Sequence, residues 1–272
     1  MEEKRVQSQE LNSGSRWHRW EPHIHAPGTV LNDQFKGADR WEQYVTALET
    51  KAPTICAIGV ADYYSSEIYE RLCDMKRQGR LPNCHLLFPN IEMRLGIGTV
   101  KGNWVNLHLL VSPEEPDHLT ELKRFLSRLT FSAHEDRFSC SRDDLIRLGQ
   151  RADPKLTEPT AALKCGSEQF KVSFDQLKEV YKESSWAEKN ILIAVAGSEG
   201  DGTSGVRDSA DATLRQEIEK FAHVIFAGSA AQREFWLGQK SLTENQVRER
   251  YGCLKPCMHG SECAHEGATS AR

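Results

Sequence analysis

Residues Trp20–Gly28 spell "WEPHIHAPG", and this stretch decides how the rest of the chain is read. Side chains two apart on a β-strand point to the same face, so His23 and His25 aim both imidazoles at one place. Pro27 and Gly28 then end the run. A strand that closes on two like-facing histidines predicts a functional site at its carboxyl end.

Six further short apolar runs read as strands: 54–62, 85–95, 104–112, 191–197, 223–229 and 254–261. Amphipathic stretches at 65–79, 117–129, 173–184 and 212–222 read as helices. Strands alternating with helices predict parallel βαβ units and an α/β fold, either a barrel or a doubly wound sheet. Residues 1–15 read as a polar leader. The irregular segment 130–172 reads as an insertion over one end of the fold, with a helix at 141–150 opened by a Ser/Asp cap signal. The glycine-rich 196–205 lacks the Gly-Lys-Ser/Thr ending of a phosphate loop, which predicts a flexible loop after a strand and no nucleotide site.

The 272 residues are 39% hydrophobic and 27% charged, with a formal net charge of -4. That composition supports a globular core and argues against nucleic-acid binding by bulk positive charge. No apolar run approaches the roughly 20 residues that span a bilayer, so no membrane partner is expected. The polar N-terminus has no apolar signal core, and the eight scattered cysteines suit a reducing compartment. A cytoplasmic location is the expectation.

The ionisable residues gather at strand ends. Asp62 closes the second strand, Glu92 lies late in the third and His108 lies within the fourth. His259, Glu262 and His265 follow the seventh. Barrels of this kind build their sites where strand ends converge. Imidazoles with carboxylates form the ligand chemistry of divalent Mn, Fe or Zn. A lone histidine in an apolar strand is usually a satisfied core residue, and His85 and His223 are read that way. Burying the whole set without a cation would be costly, which favours a metal centre.

"HIH" on the first strand, "AD" after the second, "IE" on the third and "NLHLL" on the fourth resemble the polymerase and histidinol phosphatase (PHP) superfamily. Longer stretches, "RWHRWEPHIHAPGTVLNDQFKG" and "FPNIEMRLGIGTVKGNWVNLHLLVSPEEPDH" among them, are similar to the amino-terminal PHP domain of TrlF-type AAA-like or SMC-like ATPases. The similarity runs over residues 16–261. It implies a distorted seven-stranded βα, TIM-like barrel with a divalent metal cluster and phosphoesterase or nuclease chemistry. Under it, His23 and His25 are the opening ligand pair, Glu92 is a metal-bridging carboxylate and His108 is a later ligand. Asp62 precedes a ligand-histidine position that is Tyr63 here, and Asp33 could stand in as a further ligand.

The ending departs from that pattern. Glu262 stands for an aspartate, and Cys263 adds a residue, so Glu262 and His265 are three apart, which on a strand puts them on opposite faces. The closing C-terminal element is expected to be missing, leaving 262–272 as an atypical tail. The functional expectation is a metal-dependent phosphoesterase, a nuclease working with an ATPase partner in prokaryotic defence against phage. Metal ligands would be His23, His25, Asp62, Glu92, His108, Glu262 and His265. Glu92, Asp62 and Arg94 would act in catalysis, with Arg94, Lys101 or Arg233 neutralising phosphate charge. Two alternatives stand beside it: a catalytically impaired PHP module that docks or regulates an ATPase, and a small-molecule phosphatase of the histidinol phosphate type.

Overall fold

In the computed structural model, residues 18–260 are described, apart from the side chains of 208–210. Seven strands make one sheet: β1 (Arg19–His25), β2 (Ile55–Tyr63), β3 (Leu86–Gly98), β4 (Trp104–Val111), β7 (Ile191–Ala196), β8 (Val224–Phe226) and β9 (Cys257–Met258). Their order is β1-β2-β3-β4-β7-β8-β9, and the sheet curls into a nearly closed barrel. A separate two-stranded hairpin holds β5 (Thr130–Ala133) and β6 (Asp136–Ser139). The helices are α1 (Arg40–Thr50), α2 (Glu67–Arg77), α3 (His118–Ser127), α4 (Arg142–Ala152), α5 (Pro159–Gln169), α6 (Phe174–Lys182), α7 (Ser185–Asn190), α8 (Asp208–Phe221), α9 (Ala230–Trp236) and α10 (Glu244–Tyr251).

The apolar runs predict all seven barrel strands, but not all their directions. β1–β2–β3 and β7–β8–β9 pair in parallel, whereas β4 is antiparallel to both neighbours. The reason is local. No helix separates β3 from β4; a tight turn does, with Thr99 N–H donating to the Asn103 carbonyl and Gly102 at φ 81°. A connection that short permits only a hairpin.

Strand alternation sorts the residues into layers. On β3 and β4, Ile91, Met93, Leu95, Leu107, Leu109 and Val111 face outward into the large core under the helices. The opposite face looks into the barrel. Its lower part is a small apolar plug of Phe88, Leu110, Ala194 and Val224, and the polar residues lie above it. The segment 130–172 folds as the β5–β6 hairpin followed by α4 and α5. These two helices pack at glycine contacts: a Cβ on Gly149 would lie 1.9 Å from the Ala162 carbonyl oxygen, and one on Gly166 1.8 Å from that of Leu145. The segment is tied to β3 through Val172, whose N–H donates to the Arg94 carbonyl while its own carbonyl accepts from Gly96 N–H.

The two edges of the sheet meet at Gly260. A Cβ there would lie 2.7 Å from the Cβ of His23, so the chain leaving β9 comes to rest directly on β1. The expected absence of a closing element, the atypical tail at 262–272 and the leader at 1–15 all fall outside the described residues.

Candidate metal centre

β1 does not run as a regular strand. Pro22 has no N–H to give to a ladder, and the β1–β2 register shifts between Glu21 and Ile24. Gly59 on β2 lets Pro22 come close, since a Cβ would sit 2.1 Å from the Pro22 oxygen. That oxygen accepts a 2.9 Å hydrogen bond from Asn90 Nδ2. The irregularity holds His23 and His25 inward, over β3.

There they meet Glu92. His23 Nε2 and His25 Nε2 are each 3.3 Å from Glu92 Oε2 and 3.2 Å from one another. His108, paired in register with Glu92 across β3–β4, completes the group. Ligand atoms of His23, Glu92 and His108 lie within 4.8 Å of one another. Glu92 is 2% exposed and His108 1%.

At His108 the hydrogen bonds turn a lone pair toward this group. Asn90 spends its NH2 on Pro22, so its Oδ1, 3.1 Å from His108 Nδ1, accepts the Nδ1 proton. In the neutral ring Nε2 then carries a lone pair, and burial holds the ring neutral by depressing its pKa to about 3. Burial would raise the Glu92 carboxyl, yet the neighbouring imidazoles of His23, His25 and His108 outweigh it and hold Glu92 well below the usual carboxylate range. Despite those neighbours, Glu92 Oε2 has no aligned hydrogen bond, and neither has His25 Nδ1. For ligand bonds of about 2.1 Å, donor atoms on one ion lie roughly 3.0–3.4 Å apart. The triangle of 3.2, 3.3 and 3.3 Å has that dimension. The residues fit a divalent ion.

The group opens into a cavity of about 190 Å³, also lined by Tyr63, Asn106, Asp201, Gln34 and His259. Asn106 and Asp201 are additions that sequence reasoning missed. The one signal for Asn106 is its position two before His108, on the same strand face. Asp201 lies in the glycine-rich loop expected to be flexible, but that loop is pinned. Asn106 N–H donates to the Asp201 carbonyl at 2.7 Å, and Thr99 Oγ1 to the Gly200 carbonyl at 2.8 Å. Its glycines permit tight folding: a Cβ on Gly202 would lie 2.4 Å from Ser198 N. His259 sets its Nδ1 3.3 Å from the Ala227 carbonyl, which can accept only from an N–H and so orients the ring with Nε2 toward the cavity.

Other expected residues are placed elsewhere. Asp62 shares strand parity with Ile58 and Val60, which pack outside the barrel. It therefore turns away from the cavity, and Oδ1 accepts from the amides of Val30 and Tyr63, each at 2.8 Å. Tyr63, of opposite parity, takes the inward place and stacks on His25 with ring centroids 6.0 Å apart. Asp33 shapes the loop after β1 by accepting from Gly28 N, Phe35 N and Arg40. Arg94 faces inward, its guanidinium 5.3 Å above the Tyr63 ring, so it borders the centre through that ring. Lys101 pairs with Glu199 on the surface, and Arg233 lies exposed on α9. His85 is exposed, whereas His223 is satisfied by the Ile193 amide as a core histidine would be. Glu262 and His265 lie outside the described residues.

No protein-family model matches the chain, and no curated protein is significantly similar to it. Among solved structures, it is similar to a chain from Bifidobacterium adolescentis provisionally described as a metal-dependent phosphoesterase. The identity is 12% and the TM-score 0.43, over 94% of this chain and 91% of that one. At that score the likeness carries no weight for the chemistry, which stands on the residues of the site itself. Among the described residues no helix is long and apolar enough to cross a membrane.

Proposed function

We propose that the chain is a metal-dependent phosphoesterase whose centre is held by His23, His25, Glu92 and His108. The observation that carries this is the buried meeting of three imidazoles with a carboxylate oxygen that has no aligned hydrogen bond, at the spacing of donor atoms around one divalent ion. A divalent ion there supplies Lewis acidity towards a phosphate oxygen and lowers the pKa of water. The chain's own residues do the rest. Asn90 fixes the His108 tautomer, and Tyr63 covers one side of the centre. Asp201, at the cavity wall, accepts a proton, and His259 Nε2 hydrogen-bonds the substrate or its leaving group.

Within that reading we favour a phosphodiester of nucleic acid as substrate and a PHP domain of the TrlF-type kind, working in the cytoplasm against phage with an AAA-like or SMC-like ATPase in cis or in trans. The sequence resemblance supports this, and the free state of the described cysteines suits a reducing compartment. The test uses protein stripped with chelator and reloaded with Mn, Fe or Zn. It is assayed on bis(p-nitrophenyl) phosphate, a single-stranded oligonucleotide and a phosphomonoester. Metal-stimulated diester cleavage that disappears in the His23→Ala, His25→Ala double variant is expected. Equal cleavage by the double variant would refute the site. Preference for the monoester would replace the nuclease with a small-molecule phosphatase, and native purification without an ATPase would remove the partner.

A further inference from the structure

The family resemblance makes Glu92 a carboxylate that bridges two ions, one on each oxygen. The geometry around Glu92 points elsewhere. Oε2 faces His23 and His25, but Oε1 accepts a 2.7 Å hydrogen bond from Asn106 Nδ2. The same nitrogen lies 3.2 Å from Asp201 Oδ2. An NH2 group carries two protons and no acceptor, so both protons are committed to carboxylates. The reverse orientation would set the amide oxygen against two negative charges. Asn106 is therefore fixed in this rotamer, and it is buried, at 7% exposure.

The amide does with two N–H dipoles what a second ion would do with charge: it joins Glu92 to Asp201. Asp201 cannot swing aside, because Ser198 Oγ donates to its other oxygen at 2.5 Å and its backbone carbonyl is tied to Asn106 N–H. We infer that Asn106 occupies the place of a second cation, so that Glu92 serves one ion and does not bridge two. This inference rests on the metal-centre reading above and sharpens it to a centre without a carboxylate-bridged pair. In two-ion hydrolytic sites the ions lie about 3.5–4 Å apart and share such bridges. Here the bridge is closed by an amide.

Nuclearity can be read without any activity. The full chain, stripped of metal, is titrated with Mn(II), the bound ion is counted by equilibrium dialysis, and its electron paramagnetic resonance spectrum is recorded. About one equivalent at the centre, with the spectrum of an isolated ion, is expected of the wild type. Asn106→Asp replaces the amide with a ligand, and it should take about two equivalents with an exchange-coupled spectrum. Asn106→Ala, which adds no charge if the aspartate variant folds poorly, should gain a weaker second equivalent coupled to the first. An exchange-coupled pair in the wild type would overturn the inference while leaving the metal reading intact. Isolated-ion spectra in both variants at saturating Mn(II) would also overturn it, since Asn106 would then not be what excludes the second ion. A wild type that binds no Mn(II) at all would sink the metal reading and this inference together.

Discussion

Two layers of the barrel interior lie a few ångströms apart and behave as opposites. On β3, Phe88 packs in the plug and Glu92 serves the centre, with Asn90 between them on the same face. On β4 the descent is Asn106, His108, Leu110. Two residues along a strand are about 6.6 Å, so one step converts a layer held by dispersion and apolar burial into one held by charge and hydrogen bonds. The apolar plug lowers the dielectric beneath the polar layer. Leu110 and Phe88 exclude water from below, and each unpaired lone pair above becomes correspondingly costly.

Substitutions in either layer should act differently. The largest effect is expected from Glu92→Gln, which keeps the shape and removes the charge. Mn(II) affinity should fall by more than about 100-fold in titration calorimetry, since a ligand and not merely its support is lost. Thermal stability without metal should fall as well, because the depressed pKa of Glu92 means that the fold favours its ionised form. A fall in stability with affinity retained would show that Glu92 serves packing.

Next comes Leu110→Ala in the plug. Its expected cost is about 2–5 kcal/mol in denaturant unfolding, with the metal stoichiometry unchanged. Loss of metal at full stability would erase the distinction between the layers.

Between them sits Asn90, apolar plug below and His108 beside it. Asn90→Ala frees the His108 ring to take the other tautomer, and Mn(II) affinity should drop about 10–100-fold. An unchanged affinity would mean that Asn90 does not orient the ring.

The smallest effect concerns Asp62, outside both layers. Burial pushes its carboxyl up to about 7, against two amide donations that favour the charged form. Its folded-state value lies above the unfolded one near 3.9, so the proton stabilises the folded state. That stability is fully present below about pH 4 and is lost as pH rises through about 7. Asp62→Asn should flatten this part of the melting-temperature profile. A profile with the same slope in the variant would place the pH dependence elsewhere.

Much of this layering is legible in the order of the amino acids. The apolar runs locate the barrel strands, and strand parity alone puts His23 with His25. Glu92 and His108 stand out through residue types that ligate metals. What escapes is set by contacts and not by composition. Asn90 and Asn106 carry no ligand signature, and their roles exist only because a carbonyl and two carboxylates face them. Asp62 resembles a ligand because it ends a strand, although its parity with Ile58 and Val60 already turns it outward. The reversed β4 is hidden because "GTVKGN" is short enough to be a hairpin yet lies between two long apolar runs. The pinning of residues 197–205 depends on close approaches that only glycine permits, and these are invisible in one dimension.

The reversed strand also shortens the chain separations within the site. Glu92 and Asn106 are separated by 14 positions, and His108 and Asn90 by 18. Asn90 and Pro22 are 68 apart. Loop-closure entropy grows with separation, and local pairings form fastest. The hairpin that holds Glu92, Asn106 and His108 is thus the part of the centre that can form from a nascent chain by a single turn. Closing the hairpin alone is enough to bring the Asn106 amide to Glu92, so the carboxylate has one partner that does not depend on β1 being in place.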